Sequence, residues 1–240
     1  MTDGRPLGGK TALITGGSRG IGLAIARRLG QMGANVSICA RDAERLERAV
    51  RQMKQEGIST VGVHADVTRA DDVELLVQNT QTSLGPIDIL VNNAGTGYFG
   101  PVQEASEANW DGVLDTNLKG VFLTTKAVAP GMIERGGGHI INIASLAGKN
   151  AFAGGSVYCA SKWGLMGFTF CAAEDLRAHG IRVSAICPGS VATEFGGPHA
   201  GKNIEKMLKP EDIAHAVEML VTQSPQSFIS DLSMRPTQKP

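Results

Sequence analysis

Near its N-terminus the chain reads Thr15-Gly16-Gly17-Ser18-Arg19-Gly20-Ile21-Gly22, between an apolar run at 11–15 and a helical pattern that begins at once. Glycine allows the tight turn that such a junction needs and lets the backbone approach a bound group closely. The N–H groups at the start of a helix also form a site for phosphate. The stretch therefore predicts a strand, a phosphate-binding turn and a helix, although an ordinary glycine-rich turn has the same composition.

Apolar runs rich in Val and Ile alternate with helical patterns along the whole chain. The runs lie at 11–15, 35–40, 60–65, 87–91, 139–144, 182–187 and 228–234, and the helical patterns at 21–32, 43–55, 70–83, 118–134, 157–179 and 210–222. Near-continuous apolar runs are typical of parallel strands that are buried on both faces. The alternation predicts a single α/β domain over 1–240, with a doubly wound parallel sheet of about seven strands and helices on both faces. Ligands of such sheets bind beyond the carboxyl ends of the strands.

Composition and charge favour a small, near-neutral partner. The chain has 240 residues, and its 23 Lys and Arg balance its 23 Asp and Glu. This balance argues against nucleic acid or an anionic membrane as a partner. No apolar run has the length of a membrane span, and the first residues lack the pattern of a secretory signal. We expect a cytoplasmic protein.

Cysteine and histidine spacing argues against a metal site. The four cysteines form no C-x-x-C pair, and the five histidines show no ligand spacing. We therefore expect free thiols and no bound metal.

A tyrosine and a lysine form a candidate proton-transfer pair. In Tyr158-Cys159-Ala160-Ser161-Lys162 the first and last residues project from the same face of a helix. An ammonium group beside a phenol stabilises the phenolate, so Lys162 is expected to stabilise the Tyr158 phenolate. Ser145, just after an apolar run, can donate a hydrogen bond to the substrate oxygen that Tyr158 would protonate. Alone, such a pair is weak evidence for catalysis, since Tyr158 is equally compatible with a half-buried aromatic side chain of a helix.

Taken together, these motifs resemble the short-chain dehydrogenase/reductase family over nearly the whole chain. The family's glycine motif corresponds to 15–22, its N-N-A-G motif to 92–95 and its P-G motif to 188–189. Its single catalytic positions correspond to Asn117, Ser145, Tyr158 and Lys162, and the threonine after P-G to Thr193.

The resemblance implies a Rossmann-type fold and reduction of a ketone, diketone or 3-ketoacyl group by hydride transfer from NADPH. Tyr158 is then the proton donor, Ser145 orients the carbonyl, Lys162 binds the nicotinamide ribose, and Asn117 holds a water that leads to solvent. The implied cofactor-binding residues, besides Tyr158 and Lys162, are Gly16, Ser18, Arg19, Gly20, Ile21, Gly22, Arg41, Asp66, Val67, Asn93, Ala94, Gly95, Pro188, Gly189, Val191 and Thr193.

The end of the second apolar run bears on the choice between NADP and NAD. An acidic residue there would bind the ribose 2'-hydroxyl of NAD, but the chain has Ala40 and then Arg41. Asp42, one step further, is expected to cap a helix. Arg41 and Arg19 carry guanidinium groups suited to a 2'-phosphate. NADP is therefore favoured over NAD.

A segment rich in turn formers, at 194–208, is the expected substrate loop. The expected substrate-contacting residues are Ser145, Leu146, Phe152, Tyr158 and Phe195, with Tyr98 as a further apolar candidate.

Pro130 is expected to kink or divide its helix, and 235–240 to form a frayed tail. By resemblance, the helices after the fourth and fifth strands pair in a homodimer or homotetramer.

Two other functions are compatible with these residues. One is an NAD-dependent alcohol or sugar-alcohol dehydrogenase that works in the oxidising direction. The other is a regulatory protein that binds a nucleotide without turnover, although such proteins commonly lose the Tyr, Lys or Ser that this chain retains.

Overall fold

The computed structural model describes residues 5–195 and 203–240. Within these ranges the strands are β1 Thr11–Thr15, β2 Asn35–Ala40, β3 Thr60–His64, β4 Ile89–Asn92, β5 Gly138–Ile143, β6 Ile181–Pro188 and β7 Asp231–Met234. The α-helices are α1 Gly20–Gln31, α2 Ala43–Gln55, α3 Ala70–Leu84, α4 Glu107–Leu114, α5 Gly120–Arg135, α6 Ser156–Arg177 and α7 Pro210–Val221. Strand and helix alternate as the sequence predicts.

All the strands join one parallel sheet in the order β3-β2-β1-β4-β5-β6-β7. The chain moves outward from β1 to β3 and then returns to place β4 on the other side of β1. In the register, Ile14 of β1 lies opposite Ile38 of β2 on one side and Val91 of β4 on the other. The reversal between β1 and β4 opens a crevice at the carboxyl ends of these strands. The fold is thus a doubly wound Rossmann-type sheet, as predicted.

Helices cover both faces of the sheet because neighbouring residues of each buried strand point to opposite sides. Ile14 packs in a core with side chains of α1, α2 and α7. Its neighbour Leu13 packs on the other face with side chains of α3, α5 and α6. Both side chains are fully buried. This two-sided burial accounts for the continuous apolar runs of the sequence.

The structure corrects the sequence prediction around α4 and α5. Helix α4 is absent from the predicted elements; it begins after Ser106, which forms a capping box with Asn109. A π-helical turn, Asp115–Lys119, then joins α4 to α5. α5 continues through Pro130 and is not divided by it. Buried side chains on both sides of the proline hold the helix against the sheet.

One boundary near the end of the chain also differs from prediction. β7 is shorter than the apolar run 228–234 and spans only Asp231–Met234. Phe228, at the start of that run, is 41% exposed and belongs to the loop before the strand. Among the helices that the structure describes, none has the length and apolar character needed to cross a membrane.

Candidate active site

A cleft of about 1950 Å³ lies at the carboxyl ends of the strands. It begins at the glycine-rich turn after β1, runs past the ends of β4 and β5, and reaches the segment after β6. The predicted residues that line it are Gly16, Ser18, Arg19, Gly20, Ile21, Arg41, Asp66, Val67, Asn93, Ala94, Gly95, Ser145, Leu146, Phe152, Tyr158, Lys162, Pro188, Gly189, Val191, Thr193 and Phe195. Gly22 and Asn117 lie behind its wall.

The glycine-rich turn has the shape of a phosphate cradle. Gly16 and Gly20 have φ of +65° and +53°, a region that side chains other than glycine rarely adopt. A Cβ on Gly22 would lie 2.4 Å from the carbonyl oxygen of Gly16, so only glycine fits there. Asn93 Nδ2 donates to the carbonyl oxygens of Thr15 and Gly16 at 2.9 and 3.1 Å. The start of α1 is free of a side-chain cap, and the cradle therefore fits the phosphates of a dinucleotide.

Three arginines gather beyond the end of β2. Arg41 Nη1 lies 3.8 Å from Asp66 Oδ2, and Arg19 lies in the glycine-rich turn. Arg45, which the sequence reading missed, projects from the first turn of α2 into the same cleft. Asp42 Oδ1 accepts from Arg45 N at 2.9 Å and caps α2, as predicted. The carboxylate of Asp42 is therefore engaged at the helix start.

Glu194 supplies the negative charge that faces these arginines. Its Oε2 accepts from Arg19 Nη1 and, at 3.0 Å, from Arg45 Nη1. Hydrogen bonds from these two guanidinium groups hold the pKa of Glu194 below its ordinary value. One carboxylate oxygen thus occupies a point on which two guanidinium groups converge, which is an anion site.

The Tyr158–Lys162 pair lies on the buried side of α6, next to Ser145. The Tyr158 and Ser145 side chains both line the cleft and lie close enough for Ser145 to influence the pKa of Tyr158. Lys162 Nζ donates to the carbonyl oxygen of Ile143 at 2.9 Å and lies 5.8 Å from the centre of the Tyr158 ring. Ser145 Oγ also accepts from Ala147 N–H at 3.1 Å. The three predicted side chains therefore meet at one end of the cleft.

Burial changes the proton affinity of both members of the pair. It raises the pKa of Tyr158 to about 12, against the lowering effect of the hydrogen bond to Ser145. In the protein alone, burial of the phenol outweighs its hydrogen bond, and the expected stabilisation of the phenolate by Lys162 stays a prediction. Burial also lowers the pKa of Lys162 from 10.5 to about 8, since the charged form loses its hydration.

Asn117 lies in the π-helical turn and joins three parts of the site. Its Oδ1 accepts from Thr96 N, and its Nδ2 donates to the Thr96 carbonyl oxygen, both at 2.8 Å. Nδ2 also donates to Ser161 Oγ at 3.0 Å, and Ser161 Oγ donates to the Tyr158 carbonyl oxygen at 2.7 Å. Ser161 therefore connects Asn117 to the helical turn that carries Tyr158 and Lys162.

Aromatic rings form the wall of the cleft around Tyr158. The centre of the Phe99 ring lies 5.2 Å from that of Tyr158, and the Phe195 ring centre 5.8 Å. Phe152 follows at 6.3 Å from Phe99. Tyr98 is the expected apolar candidate here, but the structure brings its neighbour Phe99 to Tyr158.

The expected substrate loop, 194–208, is only partly described, since 196–202 lie outside the described residues. At its base, Val191 pairs with Leu208 in a parallel bridge.

The last residues do not form the expected frayed tail. Five of them line the cleft, because Gly189 N donates to the Met234 carbonyl oxygen at 2.8 Å and directs the chain across it; they are Arg235, Pro236, Gln238, Lys239 and Pro240.

The sequence carried some signal for the residues that were missed. Phe99 stands between two glycines that leave room for a ring, and Ser161 directly precedes Lys162. Arg45 follows the cap residue of α2 by three positions, which directs it along the start of that helix. Their contacts depend on distant elements.

In the ranges that the structure describes, no group of three His, Cys, Asp or Glu side chains is placed to hold a metal ion.

Known proteins share this sequence and fold. Residues 10–203 match the short chain dehydrogenase family. The chain is 40% identical over 230 residues to dehydrogenase/reductase SDR family member 4 of Oryctolagus cuniculus, which covers 91% of this chain and 88% of that protein. It is 44% identical over 186 residues to a putative ketoacyl reductase of Streptomyces coelicolor, which covers 77% and 71%.

A crystal structure of a metagenomic short-chain oxidoreductase in complex with NADP has the same fold. It superposes with a TM-score of 0.86 at 44% identity, and the match covers 98% of this chain and 100% of that chain. Sequence similarity, the strand order of the sheet and the clustering of the motif residues all indicate the same family. The chain belongs to the short-chain dehydrogenase/reductase family and is an oxidoreductase.

Proposed function

We propose that this protein is an NADPH-dependent reductase that converts the carbonyl of a ketone, diketone or 3-ketoacyl group to an alcohol. The observation that carries the proposal is the convergence of Ser145, Tyr158 and Lys162 in the cleft that begins at the phosphate cradle, with Lys162 Nζ 5.8 Å from the centre of the Tyr158 ring. A phenol, a hydroxyl and an ammonium around one point suit a carbonyl oxygen that gains a proton.

In this proposal, bound NADPH supplies the hydride that the carbonyl carbon receives. Ser145 Oγ accepts from Ala147 N–H at 3.1 Å, so its own proton can be donated to the substrate carbonyl oxygen. Ser145 thereby orients the carbonyl and stabilises charge on its oxygen. Tyr158 holds the proton at Oη and gives it to that oxygen, so that C=O becomes CH–OH and the phenol becomes a phenolate.

Lys162 supports the recovery of the phenol. Its pKa of about 8 allows it to carry a proton at neutral pH and to release one readily. The ammonium also stabilises the phenolate that forms after proton transfer. Asn117 acts as a positioning residue through Thr96 and Ser161, and the water expected on it remains a prediction.

The arginines beyond β2 support NADPH over NADH. Arg19, Arg41 and Arg45 line this end of the cleft, and two of them already converge on one carboxylate oxygen. A 2'-phosphate would satisfy the same donors. The related metagenomic oxidoreductase was solved with NADP. A clear preference for NADH in steady-state turnover would instead support the NAD-dependent alcohol or sugar-alcohol dehydrogenase.

The direct test is Tyr158→Phe, with Tyr98→Phe as the matched control, since the chain has two tyrosines. NADPH oxidation is followed with a panel of ketones, diketones and ketoacyl thioesters, and NADPH binding is measured in parallel. Tyr158→Phe should lose turnover but keep NADPH affinity, and Tyr98→Phe should keep both. Near-normal turnover in Tyr158→Phe would contradict the assignment of Tyr158 as proton donor. A wild type that binds NADPH but reduces no carbonyl would favour the regulatory alternative.

We also propose that the protein is a homodimer or homotetramer paired through α5 and α6. Three large apolar side chains on these helices are 42–53% exposed: Phe122, Trp163 and Phe170. A second copy would remove this surface from water. Phe122→Glu should reduce the molar mass in light scattering, whereas Leu75→Glu on α3 should not. A wild-type monomer at micromolar concentration would exclude this pairing.

A further inference from the structure

The substrate end of the cleft is built from phenylalanine. Phe99, Phe152 and Phe195 come from three separate loops, yet Phe99 lies within 6.5 Å of both other rings, measured between ring centres. All are partly exposed, at 45%, 50% and 40%. Large apolar side chains at such exposure leave ring surface free for a ligand. We call Phe99, Phe152 and Phe195 the phenylalanine cluster.

Two glycines make room for this cluster. A Cβ on Gly155 would lie 2.6 Å from the Phe152 ring. A Cβ on Gly97 would lie 2.8 Å from Phe99 and 3.3 Å from Phe195. The rings therefore lie directly on glycine backbone, which restricts their positions. Alanine at either position would displace a ring of the cluster.

Two rings of the cluster lie against Tyr158, the residue proposed to donate the proton. Phe99 and Phe195 are tilted against the Tyr158 ring at 56° and 52°. Their cover contributes to the burial that raises the pKa of Tyr158. A substrate carbonyl that reaches Ser145 and Tyr158 from this side of the cleft has its substituent beside these rings. Nearby, Glu194 is already paired with Arg19 and Arg45.

We propose that the preferred substrate is an aryl ketone, whose ring stacks in the phenylalanine cluster while its carbonyl oxygen contacts Ser145 and Tyr158. Aromatic pairs are favoured beyond simple area burial because the edge of one ring carries positive charge and the face of another negative charge. This assignment rests on the proposed carbonyl reduction. The competing class is a carboxylated ketone, because Arg235 and Lys239 line the same cleft.

The test compares acetophenone with cyclohexyl methyl ketone, which have the same carbon number and differ in aromaticity. Their kcat/KM ratio with NADPH is measured in the wild type, Phe99→Leu and Phe152→Leu. Leucine keeps the site apolar, and the intrinsic reactivity of each ketone cancels between variants. We expect the aryl preference to fall roughly threefold to tenfold in both variants. Phe228→Leu, outside the cleft, is the control and should keep the wild-type ratio.

The outcomes separate the two proposals. Reduction of both ketones with a ratio unchanged in Phe99→Leu and Phe152→Leu would overturn the aryl assignment and leave carbonyl reduction standing. Faster turnover of acetoacetate than of acetophenone, lost in Arg235→Gln, would also overturn it in favour of the carboxylated class. Failure of every ketone and thioester with a wild type that binds NADPH would overturn carbonyl reduction itself, and this assignment with it.

Discussion

Replacing Lys162 by methionine should make the protein more stable while removing its activity. Lys162 is 5% exposed, and burial lowers its pKa from 10.5 to about 8. At neutral pH the folded protein must therefore hold an ammonium group in a place that disfavours it. Methionine has a similar shape without the charge, so Lys162→Met relieves this cost.

The size of the effect follows from the pKa. Each tenfold change in proton affinity corresponds to about 1.4 kcal/mol, so the charged form costs about 3 kcal/mol below pH 8. The hydrogen bond from Lys162 to the Ile143 carbonyl oxygen, at 2.9 Å, is lost in the variant. That loss costs about 1 kcal/mol. The net gain in the free energy of unfolding is then about 2 kcal/mol.

The sign of the pH dependence is also determined. Between about pH 8 and 10.5 the unfolded chain binds more protons at Lys162 than the folded protein does, so wild-type stability rises with pH in this window. The cost is fully present below pH 8 and vanishes as pH passes 10.5. The advantage of Lys162→Met should therefore be greatest near neutral pH and close to zero at about pH 10.

Urea unfolding of the cofactor-free protein at pH 7 and about pH 10 measures this directly. Other titrating groups are common to both proteins and cancel in the difference. Lys54→Met, at an exposed position on α2, is the control and should show no comparable gain. The reasoning is refuted if Lys162→Met is no more stable than the wild type at pH 7, or if its advantage is the same at both pH values.

Three further substitutions test other parts of the site. Ser161→Ala removes the acceptor of a buried asparagine amide and should lower the free energy of unfolding by about 1–3 kcal/mol; a loss below about 0.5 kcal/mol would mean that the link is weak. Gly22→Ala should weaken NADPH binding at least tenfold by calorimetry, because its Cβ would lie 2.4 Å from a turn carbonyl oxygen. Gly112→Ala, with open space around it, is its control, and equal binding in both variants would count against the cradle. Glu194→Gln should tighten NADPH more than NADH, since it frees two guanidinium groups for the 2'-phosphate; weaker NADPH binding would mean that Glu194 supports the cofactor.

Local sequence predicted the fold, and it predicted residues that the structure brings together in one cleft. The run at 11–15 and the helical pattern at 43–55 coincide with β1 and α2, because apolar periodicity directly reflects two-sided and one-sided burial. α4 escaped because eight residues with one buried side chain show little periodicity. Local sequence could not predict that α5 continues through Pro130, since packing of the residues around the proline decides whether the helix continues.

The sequence by itself determined the alternating α/β architecture, the phosphate cradle and the spacing of Tyr158 and Lys162, because these depend on residues that are close along the chain. Only the tertiary structure decided what depends on distant segments. It brought Glu194 to Arg19 across 175 residues, and it brought the phenylalanine cluster and the chain end to the cleft. It also decided the proton affinities, since burial by remote elements raises the pKa of Tyr158 and lowers that of Lys162. Desolvation belongs to the folded environment of a group and not to the group alone.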